Sequence, residues 1–252
     1  IPTLNDEKKF YDENLQDKNI NDVGSIKRAR RKMMPDNIRR AKLVSKIITK
    51  RSRILEIGSG HGFFLDIMKK NGYNVTGFEI SKEKRKYSKK VTNASVLDIN
   101  INEKISTVKP FDIVVLFHTL EHIIDPVIML KNIKKLLKPK GKVLVEVPNC
   151  DDFHLGLNKF YKEFYWERAH IHYFNSKSLK TVINLGGFKG IKITGVQRYS
   201  IENFFHWRLK NKPQMENPTY SLSGELNWLD ESYKKYLERN LICDTLISIA
   251  NI

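Results

Sequence analysis

The sequence predicts an α/β fold, an open and mainly parallel sheet with helices on both faces and right-handed crossovers. Three observations predict it. Five short apolar runs, at 53–57, 74–79, 94–97, 111–117 and 142–147, alternate with segments of helical periodicity. A glycine-rich turn, Gly58, Gly60 and Gly62, directly follows the first run. Residues able to do chemistry (Glu79, Asp98, His118 and Asn149) close one run after another, and parallel sheets bind ligands beyond the carboxyl ends of their strands.

Residues 1–35 read as a polar, partly ordered N-terminal arm, in which Phe10, Tyr11 and Leu15 make one short amphipathic helix. Residues 36–50 follow as a helix with Ile38, Ala41, Val44 and Ile48 on one face. Pro35 and Asp36 mark its start, and it is expected beside strand one at the sheet edge. Ile54, Leu55 and Ile57 are the first strand. After the glycine turn, Phe63, Phe64, Ile67 and Met68 continue at helical spacing until Gly72. The second strand ends at Glu79, about twenty residues after Gly58, where doubly wound folds place an acid on a ribose. A basic helix, 82–90, reads as a solvated face. The third strand, 94–97, ends at Asp98, and a loop or short helix covers 100–109. Phe111–Phe117 is apolar on both faces, as a central parallel strand should be. Asp125 and Pro126 suit the N-cap and first position of a helix running to Leu137, stopped by Lys138-Pro-Lys-Gly141.

The 252 residues suffice for one α/β domain with decorations. No apolar run approaches the roughly 18 residues of a membrane span. Two cysteines far apart, Cys150 and Cys243, fit a reducing cytoplasm. The net charge is +17, and between Lys27 and Arg53 there are twelve Lys or Arg residues and one acid. Such a segment is either a solubilising surface or an attractor of phosphates.

Glu56–Gly62, Glu79, Asp98, Leu120-Glu-His122 with Asp125-Pro126, 137–141 and Val147-Pro-Asn149 together resemble the class I S-adenosylmethionine-dependent methyltransferases. They are most similar to the small-molecule branch that includes ubiquinone-pathway and sugar O-methyltransferases. Arg168–Ser176, 179–188 and Asp244-Thr-Leu246 extend the likeness. It implies a Rossmann-like, doubly wound sheet of seven strands, mostly parallel with an antiparallel last strand, over residues 36–252. Strand six is then expected at 189–197 and strand seven at 241–250. It also implies S-adenosylmethionine as cofactor, contacted by Glu56, Gly58, Ser59, Gly60, Gly62, Phe63, Glu79, Ile80, Leu97, Asp98, Phe117 and His118. Two insertions, about 150–174 and 199–240, are expected as lids. The first is dense in aromatics, and its alternative is a satellite hydrophobic cluster.

Methyl transfer to a hydroxyl needs a base, and His is the usual one. His118 directly follows strand four, His122 lies one turn on, and His170 matches a recurrent His of that branch, so these three are the catalytic candidates. His154 and His172 rank below them. No paired-carboxylate spacing supports a metal, and none is expected. The expected acceptor is a small anionic molecule such as a phosphate-linked sugar. The rivals are an RNA methyltransferase using the basic segment and a non-catalytic cofactor-binding protein.

Overall fold

A computed structural model of the chain describes residues 23–92, 94–99, 109–167, 169–214 and 224–252. Helix α1 (Val23–Ile47) leads to β1 (Arg53–Ile57), α2 (Phe63–Lys70), β2 (Asn74–Phe78), α3 (Lys82–Thr92), β3 (Ser95–Leu97) and β4 (Phe111–Phe117). A 3-10 turn at Leu120–His122 precedes α4 (Pro126–Lys135) and β5 (Leu137–Pro148). A second 3-10 turn, Phe153–Gly156, precedes α5 (Lys159–Tyr165) and α6 (Ser176–Leu185). The chain closes through β6 (Lys189–Val196), α7 (Ile201–Lys210), α8 (Asn227–Arg239) and β7 (Thr245–Asn251). One sheet holds the strands in the order β3-β2-β1-β4-β5-β7-β6. Strands β1 to β5 pair in parallel, and β7 runs antiparallel to both β5 and β6. The order reverses between β1 and β4, which opens a crevice beyond their carboxyl ends.

Both faces of the sheet are covered, which is why its central strands are apolar throughout. On β4, Val114 and Leu116 join a core with Met129, Leu130 and Ile133 of α4 and Leu179 and Ile183 of α6. The intervening Ile113, Val115 and Phe117 join the opposite core with Ala41 and Val44 of α1 and Phe64, Leu65 and Met68 of α2. Burying each such aliphatic side chain contributes about 1.5–3 kcal/mol. Asn175 and Ser178 form a reciprocal capping box that starts α6. Asn175→Ala is expected to destabilise the protein by about 1 kcal/mol in urea unfolding.

Three expectations need correction. Helix α1 does not start at Asp36 but runs through Pro35 from Val23. Tertiary contacts override the proline signal: Ile26 is buried, and Arg30 bonds Asp66 of α2 at 2.9 Å and lies over the Phe63 ring. The helix also crosses the face of the sheet, not its edge, since its Ala41 and Val44 share a core with Ile54, Ile113, Leu144 and Ile247. Finally, α4 ends at Lys135, short of Leu137, and Lys138–Gly141 lies within β5; the register with β4 shifts there, and Lys140 adopts φ +66°. Residues 1–22, with the expected helix around Phe10, lie outside the described residues, as do 100–108, Arg168 and 215–223. No helix among the described residues is long and apolar enough to cross a membrane.

Candidate functional site

The crevice begins at the turn between β1 and α2. Gly58, Gly60 and Gly62 all have positive φ, at +71°, +52° and +75°. A Cβ at Gly58 would sit 2.5 Å from Thr119 Oγ1, and one at Gly62 would overlap the Ser88 hydroxyl, so packing requires both glycines. Gly60 differs: nothing lies within 4 Å of where its Cβ would be. Its open side is where a ligand can approach the backbone. Glu79 anchors the turn, its Oε2 accepting the Gly60 N–H at 2.7 Å and its Oε1 the Ser81 N–H at 2.8 Å. Each oxygen keeps a further lone pair for a ribose hydroxyl. Ile80 is half exposed beside it. Arg85 of α3 ties this corner together. Its guanidinium donates to both Asp98 oxygens, at 2.9 and 2.7 Å, and to the carbonyls of Glu79 and Ile80.

The other expected cofactor contacts differ in exposure. The Phe63 and Phe117 rings are buried, Phe63 stacked on His61 and Phe117 against Phe64 with the Arg40 guanidinium 4.7 Å above it. Leu97 is partly buried against the core. Ser59 is buried with its hydroxyl unbonded. Glu56 is buried too, and its Oε2 has no partner. Burial pushes its pKa well up, against the charge of Arg40 and with that of Glu79.

Beyond β4 and β5 lies an ion cluster that sequence reasoning missed. Glu146, fully buried on β5, accepts hydrogen bonds from Arg40 at 2.6 and 2.9 Å and from Arg39 at 3.0 Å. His118 Nε2 stands 3.5 Å from the same carboxylate, and its Nδ1 is 3.2 Å from Glu121 Oε1. Arg198 joins through Asp244 at 2.9 Å and through Asp36 at 3.8 Å. Burial works against the charge on His118, but hydrogen bonds to Glu121 and Glu146 outweigh it and raise its pKa. His118 thus sits between two carboxylates, with Arg198 Nη1 also 3.4 Å from its Nε2. The one signal in the sequence was an acid, Glu146, inside an otherwise apolar strand.

The other two candidate histidines meet at Glu121. His170 returns to the sheet because the Glu121 carbonyl accepts the N–H groups of Ile171 and His172 at 2.9 and 3.0 Å. The His122 and His170 rings then lie 4.8 Å apart. His122 Nδ1 is 2.9 Å from the Ala169 carbonyl, whereas His170 Nδ1 is buried with no partner. Burial lowers the His170 pKa despite the nearby Glu121 charge. His172 points its Nε2 at the Ile124 carbonyl, and His154 is enclosed between Asp152 and Tyr233. The aromatic insertion packs as a separate small core of Leu155, Tyr161 and Trp207 with Tyr165, and Trp166 and Tyr165 reach Tyr173 beside His170.

The open face at Gly60, the acceptor capacity of Glu79 and the exposed Ile80 fit an adenosyl group. The comparisons agree. A family model described as a methyltransferase domain matches residues 26–193. A ubiquinone biosynthesis O-methyltransferase of Coxiella burnetii (strain Dugway 5J108-111) is 25% identical over 187 residues, covering 66% of this chain and 76% of that one. Among solved structures, a SAM-dependent methyltransferase from Archaeoglobus fulgidus has a TM-score of 0.60 at 19% identity, covering 87% of this chain and 94% of its own. A phosphoethanolamine N-methyltransferase 2 of Haemonchus contortus, solved with S-adenosyl-L-methionine, gives 0.52 at 19% identity, over 81% of this chain and 49% of its own. The chain belongs to the class I S-adenosylmethionine-dependent methyltransferases, and S-adenosylmethionine is its cofactor.

Proposed function

We propose that this methyltransferase acts on a hydroxyl of a small anionic molecule, a phosphate-linked sugar being the type that combines both features, and that His122 and His170 meet that hydroxyl. The observation that carries this reading is His170 Nδ1, a buried lone-pair donor with no partner at the ligand-binding end of the sheet. When bound, S-adenosylmethionine supplies an electrophilic methyl on its sulfonium. The protein must then position the acceptor and deal with its proton. Glu121 and the Ala169 carbonyl fix the two imidazoles, while Glu79 and Arg85 shape the adenosyl end. The O-methyltransferase name of the Coxiella relative supports oxygen as the acceptor atom. The net charge of +17 supports an anionic one.

The RNA reading stays a rival, because Lys27, Arg28, Arg31, Lys32, Lys42, Lys46 and Arg51 of the basic segment are exposed, while other basic residues are committed to the fold. Arg30 pairs with Asp66, Arg39 and Arg40 with Glu146, and Arg53 donates to the carbonyls of Pro110 and Lys109. Mass spectrometry of S-adenosylhomocysteine and methylated product, over panels of phenols, sugar phosphates, amines and RNA, tests the proposal. Turnover with hydroxyl acceptors is expected, and His170→Ala and His122→Ala should each lower kcat by about 100- to 10,000-fold. Turnover confined to amines or RNA overturns the reading. Arg85→Ala removes charge-assisted bonds around the adenosyl end without touching the acceptor side. It is expected to raise the KM for S-adenosylmethionine about tenfold with kcat nearly unchanged in steady-state assays.

A further inference from the structure

We propose that Glu121, His122 and His170 bind one divalent transition-metal ion at the acceptor side of the sheet edge. One donor atom from each lies within 4.8 Å of the other two, a grouping found among the described residues. Two of the three residues carry an orphaned polar atom. Glu121 is fully buried, and its Oε2 has no hydrogen-bond partner. His170 Nδ1 is likewise buried and unbonded. Buried polar atoms are rarely left this way without an ion, a water or a catalytic use.

The third donor is oriented for the same task. The hydrogen bond from His122 Nδ1 to the Ala169 carbonyl puts the ring proton there and leaves Nε2 with its lone pair. Glu121 is held at its other oxygen by His118 Nδ1, 3.2 Å away. Metal sites are built this way, each ligand fixed through its second polar atom. Two imidazoles and one carboxylate suit Zn²⁺ or a neighbouring first-row ion better than Mg²⁺, and three protein ligands leave a fourth position open. Bonds of about 2.0–2.2 Å require the donors to draw in by about an ångström.

The role of the ion rests on the hydroxyl reading above, with His122 and His170 meeting the hydroxyl through the ion instead of accepting its proton; its binding does not. A hydroxyl at the open position would have its pKa lowered. Its O–H bond breaks with the proton passing to solvent, a new O–CH₃ bond forms as the S–CH₃ bond breaks, and S-adenosylhomocysteine leaves with both electrons of that bond. Each turnover releases one proton, and the ion is unchanged.

Isothermal titration of zinc chloride into the chelator-treated full chain tests the site. One ion per chain is expected, with affinity about 100-fold weaker in His170→Ala and Glu121→Gln. His172→Ala should bind as the wild type does, because its Nε2 already faces Ile124. Circular dichroism and S-adenosylmethionine titration on the same samples show which variants fold. Wild-type protein loaded with Co²⁺ needs no variant, and a four- or five-coordinate visible spectrum is expected. No stoichiometric zinc binding, equal affinity in all variants, or a six-coordinate cobalt spectrum overturns the site. Zinc binding without S-adenosylmethionine binding would instead sink the methyltransferase reading and leave the metal site standing.

Discussion

Gly60→Asp is expected to raise the Kd for S-adenosylmethionine by about 100-fold or more in isothermal titration, equivalent to about 2.8 kcal/mol. The fold should survive. Gly60 has φ +52°, and Asp is one of the residues that tolerates the left-handed region. Its Cβ would enter open space. That space is the approach to the turn, and the new carboxylate would fill it. It would also put a second negative charge near Glu79, whose oxygen lies 2.7 Å from the Gly60 nitrogen. Gly62→Ala should behave differently, lowering the melting temperature because its Cβ strikes Ser88 and Thr92. An unchanged Kd for a folded Gly60→Asp protein would remove this turn from the cofactor site.

Glu146→Gln is expected to cost about 3–5 kcal/mol of stability, a large share of the roughly 5–15 kcal/mol available to a domain. The substitution keeps the shape of the side chain but leaves Arg40, whose side chain is 7% exposed, with no charge to balance it. Burial alone would raise the pKa of Glu146; the His118 bond and the charges of Arg40 and Arg39 hold it well below the ordinary carboxylate range. A carboxylate so depressed contributes stability that is present above its unfolded pKa, near 4.3, and is lost as pH falls through the lower folded value. Wild-type protein should therefore lose stability on acidification through that window, and Glu146→Gln should show a flatter profile in urea titrations at several pH values. A double variant, Arg40→Met with Glu146→Leu, should recover much of the loss. If Glu146→Gln melts with the wild type, the cluster is not what fastens α1 to the sheet.

What could be read from the sequence was local. The glycine turn, the apolar runs and the acids at strand ends sit within a few residues of one another, and periodicity reports such patterns faithfully. The count of seven strands and the antiparallel β7 came from the family likeness, not from any pattern in 241–250. The errors share a cause. Pro35 looked like a helix start because the contacts that carry α1 through it, Arg30 with Asp66 among them, span 36 residues. Glu146 drew no notice because its partner Arg40 lies 106 residues earlier. Nothing near His118 in the chain announced its contact with Glu146 either. The pairing of Glu121 with His170 was hidden in the same way, while its neighbour His122 stood in plain view.

The position of β7 carries a cost during synthesis. It fills the gap between β5 and β6, pairing Pro148 with Thr245 and Val196 with the same residue. Until the ribosome has released it, β5 and β6 each present an unsatisfied ladder of backbone groups, and nascent chains with such edges stick to one another. Contacts this distant along the polymer also form slowly. Cool induction or added chaperone should therefore raise the yield of dispersed protein from a recombinant host.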